Sequence, residues 1–169
     1  MNLKFSFNKK NALIYALIIA LGIIIDQLTK ILTVKLLKPV GSVPIIKGVI
    51  HLTYVENRGA AFGMLSDNRW VFLVISTVAI LGLAVYLFCF RVPNMLYGAS
   101  IAMIVSGGVG NMIDRIALGY VVDMIDFTLI NFAVFNGADS FVCVGAGLLI
   151  LALVLDMVKE AKTKKKDGK

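Results

Sequence analysis

The chain reads as an all-α membrane protein: four transmembrane helices, both termini on the cytoplasmic side, and a small extended or β element at the outer membrane surface. Three observations lead there. Hydrophobic residues make up 59% of the 169 positions and the mean hydropathy is +0.90, too apolar for a soluble domain of this length. Four apolar stretches each approach the ~20 residues that cross ~30 Å of hydrocarbon. The basic residues are shared unevenly between alternate connections, which sets orientation.

The first stretch, 12–35, is interrupted by Asp26, Gln27, Thr29 and Lys30. It follows Lys4, Lys9 and Lys10 as a signal peptide would, but the apolar run is too long and no small-residue cleavage site follows, so an uncleaved helix is expected. In the outer segment 36–69, Ile50, Leu52 and Tyr54 alternate with His51, Thr53 and Val55, a strand pattern. With Val43–Ile46 and a turn at Lys47-Gly48 it predicts a small sheet. The run Glu56-Asn57-Arg58-Gly59-Ala60-Ala61-Phe62-Gly63 is rich in small residues, which permit close backbone approach. Ser66 or Asp67 is expected to cap the second helix, 70–90, with Trp70 at the interface. Pro93-Asn94 opens the third helix, 95–118, with Tyr97 at the inner interface. Gly107, Gly108 and Gly110 allow tight helix packing there, and Gly119 ends it. A second outer segment, 119–139, leads to the fourth helix, 140–158. The whole of 1–169 is one integral membrane domain. The Lys-rich C-terminal tail is expected to be disordered.

Three N-terminal Lys, Arg91 and six Lys after Leu155 fall on one side, the cytoplasm; Lys35, Lys38, Lys47, Arg58 and Arg69 fall on the other. The net charge of +7 therefore reflects topology and anionic lipid rather than nucleic acid. Cys89 and Cys143 sit near opposite ends of their helices, which argues against a disulfide. His51 is the sole histidine, and no Cys/His metal cluster or Ser/His/Asp set can be assembled. No cofactor or metal is expected.

Against this apolar background, four of the ten acidic residues crowd into one region: Asp114, Asp123, Asp126 and Asp139. Charge near hydrocarbon is costly unless paired or hydrated. Counting 1.5 Å per residue from the inner helix ends puts Asp26 about 22 Å, Asn111 about 24 Å and Asp114 about 28 Å across. Asp123 and Asp126 lie in the following outer connection, and Asp139 begins the fourth helix. Each has a purely structural explanation. Asp139 caps a helix, Asp114 and Arg115 mark a helix end, and Asp26 pairs with Lys30 one turn on. Those explanations leave unaccounted the shared depth and the accompanying Asn57, Asn111 and Asn136. Asp67 and Asp156 lack such company and are read as helix-end residues. Two adjacent carboxylates hold one proton between them. One then takes a proton from water while the other polarises a carbonyl, which hydrolyses an amide.

The words Asp26-Gln27-Leu28-Thr29-Lys30, Glu56–Gly63, Gly110-Asn111-Met112-Ile113-Asp114-Arg115, Val121-Val122-Asp123 and Phe135-Asn136-Gly137-Ala138-Asp139-Ser140 occur in an order and spacing that resembles the bacterial lipoprotein signal peptidases (signal peptidase II), an aspartyl membrane peptidase family. The resemblance covers nearly the whole chain. It implies a multi-pass enzyme of the bacterial inner membrane, its active site toward the outer face. Such an enzyme cleaves prolipoproteins before their diacylglyceryl-modified cysteine, with prolipoproteins and membrane lipid as partners. It carries the dyad over to Asp123 and Asp139. Asp26, Lys30, Asn57, Arg58, Gly59, Asn111, Asp114, Arg115 and Asn136 become supporting or substrate-binding residues. Met124 departs from the pattern, which often has Phe there. Asp126 competes with Asp123 for the catalytic role, and spacing from Asp114 favours Asp123. Substrate is expected in the outer leaflet against the second helix and Asn57–Gly63. Three other classes remain open: a proton-coupled transporter, though no inverted repeat is visible; a non-enzymatic assembly factor; and a Mg²⁺-dependent hydrolase.

Overall fold

The structure, a computed structural model, describes Phe5 and residues 8–59 and 69–167. The expected cap at Ser66 or Asp67 and the run Ala60–Gly63 lie outside the described residues. Helix α1 spans Lys9–Leu32, its N-terminus capped by Asn8, whose Oδ1 accepts from the Asn11 amide at 3.2 Å. It runs on as a π-helical turn, Thr33–Leu37. The predicted hairpin forms: β1 is Ser42–Ile46 and β2 is Ile50–Asn57, antiparallel, with Gly48 at φ +75° in the turn. Helix α2 spans Arg69–Cys89 and α3 spans Met95–Ala117. Asn94 caps α3 through the Tyr97 amide, and Gly119, at φ +82°, lets the chain turn back after it.

Two features depart from expectation. The stretch carrying Asp123, expected only as a connection between the third and fourth helices, is a third strand, β3 (Val121–Asp126), paired antiparallel to β2 with Val55 opposite Asp123 and Asn57 opposite Val121. The fourth helix does not stop near 158 and its tail is not disordered: α4 spans Gly137–Asp167. The Ala, Glu and Lys residues that follow Val158 are good helix formers, and lysines suit a helix C-terminus. Asp156 therefore lies within a helix, and it accepts a hydrogen bond from the Tyr97 hydroxyl at 3.0 Å.

Helix α3 is the hub, packed against α1, α2 and α4. Its glycines set the spacing. A Cβ at Gly107 would strike the Ala138 carbonyl oxygen of α4, and one at Gly108 would lie 2.8 Å from Ile80 of α2. Tyr15, Ile80, Leu87, Ile101, Ala102 and Val105 form the helix core. A smaller core of Leu37, Val122 and Met124 seats the sheet on the end of α1. The outward faces of α1, α2 and α4 expose rows of Leu, Ile and Val, which only a lipid solvent satisfies. Lys9–Leu37, Met95–Ala117 and Gly137–Lys164 are long and apolar enough to cross a membrane, and Leu73–Cys89 of α2 is a shorter apolar helix.

Candidate active site

The strand and helix that carry Asp123 and Asp139 meet over the C-terminal ends of α1 and α3. On β3, Asp123 shares a face with Val121, so Asn57, opposite Val121, reaches it diagonally across the ladder: Asn57 Nδ2 donates to Asp123 Oδ2 at 3.0 Å. At the head of α4, Asn136 and Asp139 form a reciprocal capping box. The Asp139 amide donates to Asn136 Oδ1 at 2.9 Å and the Asn136 amide donates to Asp139 Oδ2 at 3.1 Å. The helix-cap explanation of Asp139 is thus correct for one of its oxygens. The other, Oδ1, accepts from Asn111 Nδ2 at 2.7 Å. Asn136 also joins the two aspartates, since its Nδ2 donates to Asp123 Oδ1 at 2.6 Å and to Asn111 Oδ1 at 3.1 Å.

The orientation of all three amides follows from groups that can only donate. Lys30 Nζ sits 2.9 Å from Asn111 Oδ1, the Asp139 amide faces Asn136 Oδ1, and the Gly59 amide faces Asn57 Oδ1 at 3.1 Å. Each side chain must turn its NH₂ toward a carboxylate. Asp123 is 1% exposed. Burial pushes its carboxyl up to about 6; the hydrogen bond from Asn57 opposes this, the Asp139 charge adds to it, and the Asn136 hydrogen bond opposes it again.

Beneath the pair lies a buried ionic clamp. Lys30 Nζ is 2.9 Å from Asp26 Oδ2 and 3.1 Å from Asp114 Oδ2. The pairing of Asp26 with Lys30 expected from their spacing is present, but it is one arm of a larger device. Asp26 Oδ1 accepts the Ala138 amide at 2.9 Å, and Asp114 Oδ2 accepts the Val122 amide at 3.0 Å. Each supporting carboxylate therefore grips the backbone N–H immediately before one aspartate of the pair. Gln27, quoted in the motif but given no role, completes the clamp. Its Nε2 donates to Asp114 Oδ1 at 3.0 Å, to Asp26 Oδ2 at 3.2 Å and to the Gly110 carbonyl at 3.2 Å. A Cβ at Gly110 would lie 2.5 Å from Asp26 Oδ2, so only glycine leaves room for that carboxylate.

Other predicted residues fall differently. Arg115 Nη1 donates to the Asn111 carbonyl at 3.4 Å, and the residue lines the cleft in front of Asp139. Gly59 is buried beside Asn57. Arg58 turns away: it pairs with Glu56 at 3.2 Å and lies over the Tyr120 ring at 5.8 Å. Lys38, then Tyr54 and Arg58, hold the Glu56 carboxyl down at about 2 by hydrogen bonding. Asp126, three residues along the strand from Asp123, takes the opposite face and accepts from Thr53 Oγ1 at 2.9 Å.

A cleft of about 510 Å³ opens onto Asp139. Asn57, Asn111, Arg115 and Ser140 form its polar part; Val121, Phe132–Phe135, Cys143 and Val144 form its apolar wall. Its described lining comes from α3, α4, the sheet and the 132–135 segment, with none from α2. Cys143 is the one wall residue with a legible sequence signal, four positions past Asp139 on the same helical face.

Residues 18–155 match the family described as Signal peptidase (SPase) II. The chain is 52% identical over 133 residues to the lipoprotein signal peptidase of Caldanaerobacter subterraneus subsp. tengcongensis, covering 78% of this chain and 90% of that protein. It is 47% identical over 140 residues to the lipoprotein signal peptidase of Clostridioides difficile strain 630, covering 82% and 93%. Two solved structures of bacterial membrane enzymes, both determined in meso, share its fold. One has a TM-score of 0.78 at 31% identity, covering 93% of this chain and 94% of its own. The other has 0.75 at 30%, covering 90% and 97%.

Proposed function

Since this chain belongs to the signal peptidase II family of membrane peptidases, we propose that it removes signal peptides from prolipoproteins as an aspartic endopeptidase, cutting before the diacylglyceryl-modified cysteine, with Asp123 and Asp139 as the catalytic pair. The observation that carries this reading is the shared asparagine. Asn136 donates to Asp123 through its side chain and to Asp139 through its backbone, so the two carboxyls are held on either side of one residue.

Asp139 opens onto the cleft and is the general base that takes a proton from the attacking water. Asp123, its carboxyl raised to about 6 by burial, keeps a proton within reach near neutral pH and gives it to the scissile carbonyl oxygen. Attack forms a tetrahedral diol, and its collapse returns a proton to the leaving nitrogen. The amide NH₂ groups of Asn57, Asn111 and Asn136 hold the carboxylates at fixed positions, so little reorganisation accompanies the charge shift. The mechanism needs no metal. The diacylglyceryl chains lie along the apolar wall formed by Phe132–Phe135, Cys143 and Val144, on the α4 side of the site rather than against α2.

In this reading the enzyme lies in the bacterial inner membrane with four spans, α2 among them, and the basic-residue bias puts both termini in the cytoplasm and the dyad toward the outer face. The test uses purified protein in detergent and a lipidated lipobox peptide, with and without a chelator. Wild type cleaves under both conditions, and Asp139→Asn and Asp123→Asn do not. Substantial cleavage by either variant would sink the dyad; loss of wild-type cleavage with chelator would sink the metal-free mechanism.

A further inference from the structure

A second cavity lies at the other end of the bundle. The first turns of α1, the end of α2 and the connection to α3 enclose about 250 Å³, lined among others by Asn8, Asn11, Tyr15, Phe88, Arg91 and Pro93. Asn11 is fifteen residues, roughly 22 Å along α1, from Asp26, so the cavity is separate from the catalytic cleft. We infer that this inner-end cavity binds the phosphodiester headgroup of an anionic membrane phospholipid. The inference rests on the chain spanning a membrane and not on the assignment of the dyad.

The polar groups of the wall include donors that no described protein acceptor engages. Arg91 has neither a carboxylate nor a hydrogen-bond partner among the described residues, and the same holds for the Asn11 side chain. Asn8 uses its Oδ1 to cap α1, which leaves its NH₂ free to donate. Tyr15 stands in the same wall, 2% exposed, with no partner for its hydroxyl among the described residues. The lining contributed by the described residues contains no Asp or Glu. The positive end of the α1 dipole and the exposed Lys9 and Lys10 of its first turn add to the field. Such a wall selects an anion.

Phe88 and Pro93 supply an apolar border suited to the glycerol and first methylenes of a lipid. At ~30 Å³ per water the volume corresponds to about eight waters, which fits a headgroup and is too small for a folded partner. The site also lies where α1 begins and α2 ends, at the level of membrane headgroups, so a phospholipid is the anion present at highest local concentration.

The test is retention of lipid by the purified full-length protein in native mass spectrometry, paired with melting temperature in detergent, with added phosphatidylglycerol or phosphatidylcholine. Wild type is expected to retain one phosphatidylglycerol in preference to phosphatidylcholine and to melt higher with it. Arg91→Gln should weaken that retention roughly tenfold, the loss of one charge-assisted hydrogen bond, and should keep cleaving the lipidated peptide. A variant with Lys159, Lys162 and Lys164 all changed to Gln should keep the tightly held lipid, which separates the cavity from the general attraction of the basic tail. Equal retention by Arg91→Gln and wild type would overturn the inference. So would equal retention of the two lipids, or a melting shift reproduced in full by inorganic phosphate, which would make the ligand a free anion.

Discussion

Replacing Asp123 by Asn gives a prediction whose size follows from burial. The Asp123 carboxyl is raised from 3.8 to about 6, and at ~1.36 kcal/mol per pH unit that amounts to about 3 kcal/mol of disfavoured ionisation. A raised carboxyl binds its proton more tightly in the folded state than in the unfolded one. Its full contribution to stability is therefore present below about pH 4. It falls between about pH 4 and about pH 6, and is lost above that. The substituted amide does not titrate and carries no such dependence. It does carry a separate cost of about 1–3 kcal/mol, because its NH₂ must face either Asn57 Nδ2 or Asn136 Nδ2, both donors. That cost does not vary with pH. The variant should thus be less stable than wild type at pH 4 and should recover, relative to wild type, by up to about 3 kcal/mol at pH 7. In melting temperature this is on the order of 5 °C or more for a chain of this size. Thermal unfolding of both proteins in one detergent across that range, beside a cleavage assay in which the variant is inactive, makes the measurement. A melting gap that stays constant with pH, or widens as pH rises, would refute the account of Asp123 as a carboxyl held partly protonated by its surroundings.

Other outcomes follow from the same contacts. Lys30→Met leaves Asp26 and Asp114 buried without their cation and should destabilise by about 3–5 kcal/mol, read as a fall in melting temperature and in detergent-soluble yield. Asp126→Asn, on the opposite face of β3 and bonded to Thr53, should retain most cleavage activity; behaviour like Asp123→Asn would move the catalytic role to it. Cys143 lines the cleft beside Asp139 while Cys89 does not, so a bulky maleimide should abolish cleavage in wild type and leave Cys143→Ala active, with substrate slowing the inactivation.

The helices were legible because lipid is a demanding solvent: it requires long apolar runs, and Asn94 and Gly119 punctuate the third run where the structure starts and stops it. The β1–β2 hairpin was legible from its alternation. Strand β3 was not, because Val121, Val122, Asp123 and Met124 are all buried and a strand covered on both faces loses the period-2 signal. The extended α4 was missed because a run of lysines reads equally as a solvated tail. At the site, Asp26 and Lys30 announced their contact by spacing, but Lys30 meets Asn111 and Asp114 across a helix interface whose crossing no local pattern encodes. Gln27 was overlooked for a related reason. As the neighbour of Asp26 it should face elsewhere on the helix, yet its long side chain swings back to join Asp26, Asp114 and Gly110. The apolar wall at 132–135 follows a 3₁₀ turn at Thr128–Ile130 and an Asn131 with φ +50°, irregular chain that leaves no period to read.

The clamp explains why so polar a device persists inside an apolar bundle. The Lys30 ammonium has three protons and three partners: Asp26, Asp114 and Asn111. The two carboxylates use their remaining capacity on Gln27 and on the amides of Ala138 and Val122. A buried ion pair alone is weak evidence of stability, since apolar packing often does as well. Here apolar replacement of the triad would orphan two backbone N–H groups, each at a cost of about 1–3 kcal/mol, and would take from the Asn111 oxygen one of its two donors, leaving it Asn136. The network resists piecemeal loss for that reason. It also makes the positions of Asp123 and Asp139 depend on one lysine: the residue before each is tethered to a carboxylate that Lys30 holds, and Lys30 turns Asn111 so that its NH₂ faces Asp139. Two carboxyls delivered by different elements, a strand and a helix N-terminus, are thereby referenced to the same point on α1.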